Sequence, residues 1–558
     1  VNSRISTVLF ALAIALGSSA TARGDWPPEG VLVSTTSASL GLDPVQLIRD
    51  ASGDVVVVWR LHNTLGSTSA AQRITETGAI APGWPDYGVT LRASSQFDAA
   101  SDDAGGAFDA YVSGDFNVYL ERALGDASHL PPANPGWVVA DTSQSEWYPA
   151  VAADGAGGVF VAWVRGTSKV YLKHLQSGGT PVPGWPTAGA ALYPPTLQVA
   201  LASPELLPDG AGGVYLMWLA DGVRVQRFGG TGAIAPGWPP QGIELGSRPP
   251  ELYSNPMLRL IPSGADHAIA AWVDRYPGSG WTRLFLNRFD SSGTIDPTWP
   301  ASGINVISTS HPVGSIALVP DGESGVTVVW EQQSRPLMMH VLSDGTLPAD
   351  YPGTGLSPLD PDAQYVPGTL FAATGNEGGV IVSWSDARPS RPGIRMRWFR
   401  ADGSPEPTEP AAGRVITPPG VPATNRGLVE DGSGGACVAW QDDTNGTFSS
   451  YLLRLSHAPG TAVVGVGPTR ENARLELAPP APNPATAEIT LRFTLRGDQP
   501  ARIELLDLAG RTQRSLAVRG AGAQVARMGD LGRLPPGLYF VRLAQGALVR
   551  GARVAIVR

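Results

Sequence analysis

Asp154-Gly-Ala-Gly-Gly-Val-Phe-Val-Ala-Trp163 is the stretch that decides the fold. An Asp-Gly turn opens it, an apolar run comes next, and a Trp closes it. The pattern returns from Asp209 to Trp218, from Asp321 to Trp330 and from Asp431 to Trp440, and weaker copies end at Trp59, Tyr111, Trp272 and Trp384. Seven intervals separate Trp59 from Trp440, a mean period of about 54 residues, and a fixed period of this size marks a solenoid, a propeller or an array.

Each unit carries a second signature, Gly-x-x-x-Pro-Gly-Trp-Pro-x-x-Gly, clearest from Gly78 through Trp84, from Gly232 through Trp238 and, with Thr for Gly, from Gly293 through Trp299. Decayed forms run through Trp137, Trp185 and Tyr351. Short apolar or alternating stretches lie between these landmarks, bounded by Gly, Pro and Asp, which predicts four short strands per unit. The strand ending in Trp is apolar at odd and even positions alike, so both of its faces are covered. The next strand alternates and carries a recurring basic residue: Arg73, Arg122, His174, Arg227, Arg288, His340 and Arg454. Charge on such a strand suits a sheet edge. A sheet with a doubly buried inner strand and a charged outer one is a propeller blade, so residues 25–456 read as an all-β, eight-bladed β-propeller. The segment from Asp25 to Val33 matches the stretch after Trp-Pro in the other units, and the eighth unit stops after its Arg454 strand. The first segment then completes the last blade; eight self-contained blades are the alternative.

Composition bounds the setting. The 558 residues include 68 Gly and 51 Pro, yet 42% are hydrophobic, which is turn-rich but globular. Residues 1–22 read as a secretory signal peptide, with Arg4, the apolar run Val8 to Leu16 and a small-residue site at Ala20-Thr-Ala22. No later apolar run approaches a membrane span. The lone Cys437 allows no internal disulfide and reads as a core residue. Residues 473–558 hold 13 Arg, no Lys and six acids, a net of +7, against −9 for the whole chain. With Arg4 set aside, residues 23–472 carry −17, which argues against a nucleic-acid partner.

Residues 457–472 form an aperiodic Gly/Ala/Pro/Val linker. Beyond it, short antiparallel strands over residues 473–558 suggest a small Ig-like β-sandwich. This tail resembles the C-terminal sorting domain of the type IX secretion system, and the related Ig-like domain of flagellar hook-capping proteins. The resemblance rests on Pro482-Asn483-Pro484, Asp507-x-x-Gly510-Arg511, Leu534-Pro-Pro536-Gly537-x-Tyr539 and the basic terminal strand through Arg550, Arg553 and Arg558. Met528-Gly-Asp-Leu-Gly532 stands where the hook-capping relatives carry Trp-Asp-Gly, which favours the sorting domain. The resemblance implies export across an outer membrane, a secreted or outer-cell-surface location, and the secretion machinery as partner. The repeats also resemble Trp-x-Asp-x-Arg propeller repeats of bacterial secreted proteins, best at Trp384-Ser-Asp386-Ala-Arg388. That likeness implies a fold and no ligand.

Chemistry-bearing motifs are sparse. Asp in an Asp-Gly turn bonds its own backbone, so the repeated Asp reads as structural. The seven His show no metal-ligand spacing, and Gly-x-Ser-x-Gly and phosphate-loop motifs are missing. No cofactor or metal is expected and no catalytic residue is nominated. The binding candidates are aromatic. Trp147 and Tyr148 precede Pro149, Tyr253 precedes Pro256, Tyr365 precedes Pro367, and Tyr276 and Trp281 lie in an insert after Trp272. Strand alternation places both sets of loops on one rim, where aromatic faces suit sugar rings or peptide; packing between blades is the plainer reading. The leading expectation is non-catalytic recognition or scaffolding at the cell surface, with a glycan or protein ligand on the rim. A propeller hydrolase or lyase acting on polysaccharide, and a structural envelope component, are the rivals.

Overall fold

The computed structural model describes residues 26–557 apart from short internal segments, the longest being 193–202, 248–256 and 457–475. The signal and linker assigned above lie outside the described residues. The chain divides into two compact units, Val1–Gly465 and Val466–Arg558. Among the described residues no α-helix is present, and none is long and apolar enough to cross a membrane.

The first unit is a β-propeller of successive antiparallel sheets, eight among the described residues. The third sheet shows the plan, with strands Glu146–Ala153, Val159–Arg165, Lys169–Leu175 and Ala190–Leu192 side by side in chain order. The first strand of each sheet contacts the first strand of the next, and that of the eighth, Ala423–Glu430, returns to that of the first, Leu42–Arg49. The cycle is closed by overlap. Val31–Ser37 pairs with Thr447–Leu455 and supplies the outer strand of the eighth sheet.

The strand ending in Trp is the second in its sheet, and Val159 through Val164 are all buried. The closing Gly of the second signature packs on this Trp. Gly189 sits at φ +84°, and a Cβ there would stand 2.8 Å from Trp163 Cη2. Glycine fits because it tolerates positive φ and leaves the indole its room.

Two expectations need correction. The recurring basic residue lies on the third strand, which is interior in every propeller sheet but the sixth, and its partner is the turn. Asp154 Oδ1 accepts from the Ala156 and Gly158 amides, while Oδ2 lies 2.8 Å from His174 Nε2. Arg122 with Asp102, Arg227 with Asp209, His340 with Asp321 and Arg454 with Asp431 repeat the pairing. In the seventh sheet the turn begins at Gly375 and Trp398 takes the basic position, so acid and base are replaced together. The second correction concerns strand number. The sixth sheet has three strands, Val313–Pro320, Val326–Gln332 and Arg335–Val341. On its outer edge Met338 exchanges backbone bonds with Leu356, but Pro336, two residues away on that edge, has no N–H to offer. Proline is confined to such edges, and it ends the pairing here.

The second unit holds two antiparallel sheets. One comprises Glu476–Leu477, Ile489–Leu495 and Gly522–Met528; the other orders Thr512–Val518, Ala501–Leu506, Gly537–Gln545 and Leu548–Ile556. Ile489, Leu491, Ile503, Leu505, Val541 and Val554 pack between them as one core.

Candidate functional site

Turns between second and third strands lie beside the segments that enter the first strands. The Glu146 amide donates to the Phe116 carbonyl at 2.8 Å, and in the seventh sheet the Val366 amide donates to Ser385 and the Ala387 amide to Gln364. Both loop sets therefore share a rim. Four of the six nominated aromatics can be placed on it; Tyr253 and Tyr276 lie outside the described residues.

Trp147 is half-buried and meets Phe116, with ring centroids 5.1 Å apart. Phe116 tips the turn between Ala107–Val112 and Val118–Ala123, is 47% exposed, and is held at φ +61°. A bulky aromatic in this conformation is uncommon, and such residues gather at functional sites. Sequence reading missed Phe116, because a lone Phe in a Gly-Asp-Phe-Asn turn carries no pattern. Tyr148 sits at a register shift between Trp147 and Ala150, with φ +54° and its amide bonded to Gln96 Oε1 at 2.7 Å. A bulge re-aims side chains, and here it separates Trp147 from the strand below.

Trp281 is 47% exposed in the fifth sheet. Tyr365 turns inward. Its hydroxyl donates to Glu331 Oε2 at 2.7 Å, and the Gly368 amide donates to the same oxygen. Burial pushes this phenol well above its usual range, and Glu331 pushes it further. Tyr365 thus ties the sixth sheet to the seventh. The nominated aromatics are spread over the third, fifth and seventh sheets, not gathered in one shelf.

The Trp-x-Asp-x-Arg match also proves architectural. Arg388 bonds Asp386 and reaches both oxygens of Asp360 at 2.9 and 2.8 Å, and Arg395 lies 2.8 Å from Asp386. Burial opposes the Asp386 charge, but these bonds hold its carboxyl below the usual range. A carboxylate so engaged is poorly suited to proton transfer.

A polar layer runs along the first strands. The first-strand residue opposite the one preceding Trp is Gln46 in the first sheet, Asp98 in the second, Glu205 in the fourth and Arg259 in the fifth. Gln46 Nε2 donates to Asp98 Oδ1 at 2.6 Å, and the Val151 amide donates to Asp98 Oδ2 at 2.8 Å, so one carboxylate links three sheets. Arg259 stands 3.8 Å from Glu205, whose side chain keeps 29% exposure. Burial raises Glu205 to about 7 against the pull of Arg259, and Asp98 adds to the rise. Asp98 itself is raised by burial, against its hydrogen bonds.

Elsewhere the chemistry is quiet. Cys437 is buried, and burial pushes its thiol up to about 12. Among the described residues no group of three His, Cys, Asp or Glu converges as a metal site would.

In the second unit the motif residues hold turns. Asn483 donates to the Arg553 carbonyl and accepts from the Ala555 amide, fixing the chain beside the terminal strand, with Pro484 next in sequence. Asp507 accepts from the Arg511 amide and side chain and from Gln513. Tyr539 is buried and donates to the Pro535 carbonyl at 2.8 Å, while Pro536 and Gly537 are exposed. Pro482 and Gly510 lie outside the described residues.

Residues 481–556 match the secretion system C-terminal sorting domain. That domain directs export, so the chain is a secreted or outer-surface protein that engages the secretion machinery through its tail. No curated protein matches the chain. Among solved structures, a protein of unknown function from Dyadobacter fermentans is 13% identical, with 76% of this chain and 98% of that one covered and a TM-score of 0.34. A PL25 polysaccharide lyase described as an ulvan lyase is 9% identical over 63% and 90%, at 0.37, and the BP39L lectin of Burkholderia pseudomallei is 12% identical over 63% and 96%, at 0.34. Likenesses this loose say nothing about a ligand or a reaction.

Proposed function

We propose that residues 25–456 form an eight-bladed β-propeller and residues 473–558 an Ig-like sandwich that sorts it, joined by the linker 457–472. The propeller recognises a glycan or protein at the cell surface without catalysis. The observation that carries this reading is the Phe116–Trp147 pair. An exposed aromatic is held at positive φ on the rim, and its carbonyl is bonded to the next sheet. Rigid aromatic faces of this kind suit stacking on a sugar ring or an apolar side chain. A glycan-array screen of the mature protein tests it, with Phe116→Ala and Trp147→Ala as controls. Signals that survive both substitutions count against the pair as the binding site.

A polysaccharide hydrolase or lyase remains the second reading, supported by Asp98 and Glu205 on the first strands of the second and fourth sheets, with Arg259 3.8 Å from Glu205. Carboxyls of raised pKa are what general acids need. Release of reducing ends from a polysaccharide, abolished by Glu205→Gln, would favour it over recognition.

A further inference from the structure

The sixth sheet leaves a cleft where its neighbours have a strand. In every other propeller sheet a fourth strand covers the third, but here pairing stops at the Met338–Leu356 bridge. The space beyond, between the fifth and sixth sheets, is a cleft of about 560 Å³. That is within the range of small-ligand sites, which run from roughly 300 to 1,000 Å³.

Its lining is chemically one-sided. Asn305, Ser308, Thr309, Gln332 and Thr354 supply amides and hydroxyls, Arg335 is the charged residue of the wall, and no Asp or Glu lines it. In a chain of net charge −9 this is a local positive site. Gln332 Nε2 donates to Thr309 Oγ1 at 2.9 Å and its Oε1 is buried, so this amide holds the wall, while Asn305 Nδ2 donates to Ser308 Oγ at 2.7 Å on the exposed side. Arg335 is exposed at the turn Gln333-Ser334, both of which sit at positive φ.

An added β-strand would be a poor occupant. Met338 already spends its outward N–H and C=O on Leu356, and Pro336 offers only a carbonyl. Strand addition draws its affinity from main-chain bonds that this edge cannot make. A ligand that instead brings many hydroxyls and one anionic group matches amides, hydroxyls and a lone guanidinium.

We propose that this cleft binds an anionic glycan, with Arg335 on its carboxylate or sulfate and the exposed Asn305 and Thr354 on its hydroxyls. The site is separate from the Phe116–Trp147 rim and stands or falls without it.

Titration calorimetry of the full mature chain tests it, with tri-galacturonate as the carboxylate probe, a κ-carrageenan tetrasaccharide as the sulfate probe and cellotriose as the neutral one. At least one anionic probe binds, and cellotriose binds about tenfold or more weakly, the scale of one charge-assisted bond. Arg335→Ala lowers the anionic affinity about tenfold, and Gly353→Trp, which fills the cleft, abolishes it. Tyr87→Ala, at an exposed position outside the cleft, leaves it unchanged, and thermal melts confirm that each variant folds. Whether the carboxylate or the sulfate probe wins distinguishes the two sources of charge. Equal binding of cellotriose, no binding of either anionic probe, or indifference to both Arg335→Ala and Gly353→Trp overturns the proposal.

Discussion

Trp26 and Arg454 donate to the same oxygen, the Glu76 carbonyl, at 2.9 and 3.3 Å. One residue lies near the start of the first unit and the other on its last long strand. Trp238 and Arg227 share the Ser291 carbonyl in the same manner at an internal seam. The seam between the chain ends is therefore built like the others, and the outer strand Val31–Ser37 completes it. Trp26→Ala should cost about 3 kcal/mol, as large-to-small changes at buried aromatics do. Deleting residues 23–37 should cost more and expose the edge of Thr447–Leu455. Chemical denaturation measures both, and a truncated chain as stable as the intact one would contradict closure by overlap.

Gly189 and Trp163 should behave as a coupled pair. Trp163→Ala alone should lose about 3–5 kcal/mol. Gly189→Ala alone should lose about 2 kcal/mol, from positive φ and from a Cβ crowding the indole. In the double variant the indole is gone, so the second change should retain only its backbone cost. Contacting residues are non-additive in this way. A double-mutant cycle with no coupling would mean the glycine serves the turn alone.

Asp109 predicts an unusual pH response. It occupies the doubly buried strand of the second sheet, where the equivalent residue is Val57 in the first, Val161 in the third and Leu216 in the fourth. Glu121 stands opposite on the next strand, Ser69 Oγ donates to Asp109 at 2.6 Å, and Asp98 adds negative charge from the first strand. Burial first, then Glu121, raises the Asp109 carboxyl well above 3.8. A folded pKa above the unfolded one gives stability that is complete below 3.8 and lost as pH rises through the folded value. Asp109→Asn should therefore gain stability over the parent, with the gap in Tm widening toward alkaline pH. The turn acids act in the opposite sense. Burial opposes the Asp431 charge, but Ser433 and Arg454 hold its carboxyl low, so its contribution fades as pH falls. A constant gap between the Asp109 variant and parent would refute a raised carboxyl at this position.

Much of this architecture is legible in local pattern. The Asp-Gly turn, the apolar run and the Trp sit within ten residues, so periodicity finds the buried strand and the short first segment hints at closure. What escapes depends on contacts far apart in sequence. The basic residue on the third strand looks like edge protection until its turn Asp is seen beside it. The missing strand of the sixth sheet turns on Pro336 facing outward, which a residue count does not reveal. Tyr365 reads as a rim aromatic, but its hydroxyl is claimed by Glu331 of the preceding sheet. Phe116 is the converse: a single exposed ring whose partner, Trp147, belongs to the next unit.

Limited proteolysis should cut first within residues 457–472. That stretch joins two units with separate cores and is rich in residues that bury little. A fragment of about 85 residues should be released, sized by the tail beyond the linker. First cuts inside the propeller sheets would argue against the linker.

The tail should govern destination and leave the propeller's fold untouched. The core of the second unit is formed by its own strands, and Asn483, Asp507 and Tyr539 make hydrogen bonds within it. Each propeller sheet packs on its neighbours, and among the described residues the cycle closes through Val31–Ser37. Deleting residues 473–558 should therefore leave the thermal transition of the propeller in place. Export should fail at a defined step. The signal proposed for residues 1–22 should still carry the chain across the inner membrane, but without the matched sorting domain the chain should collect in the periplasm. Fractionation of the native cell decides the matter, with the intact chain as reference. A truncated chain that reaches the surface or medium at the normal level would reduce the second unit to an appendage. A folded chain held in the periplasm would separate the address from the recognition proposed for the propeller.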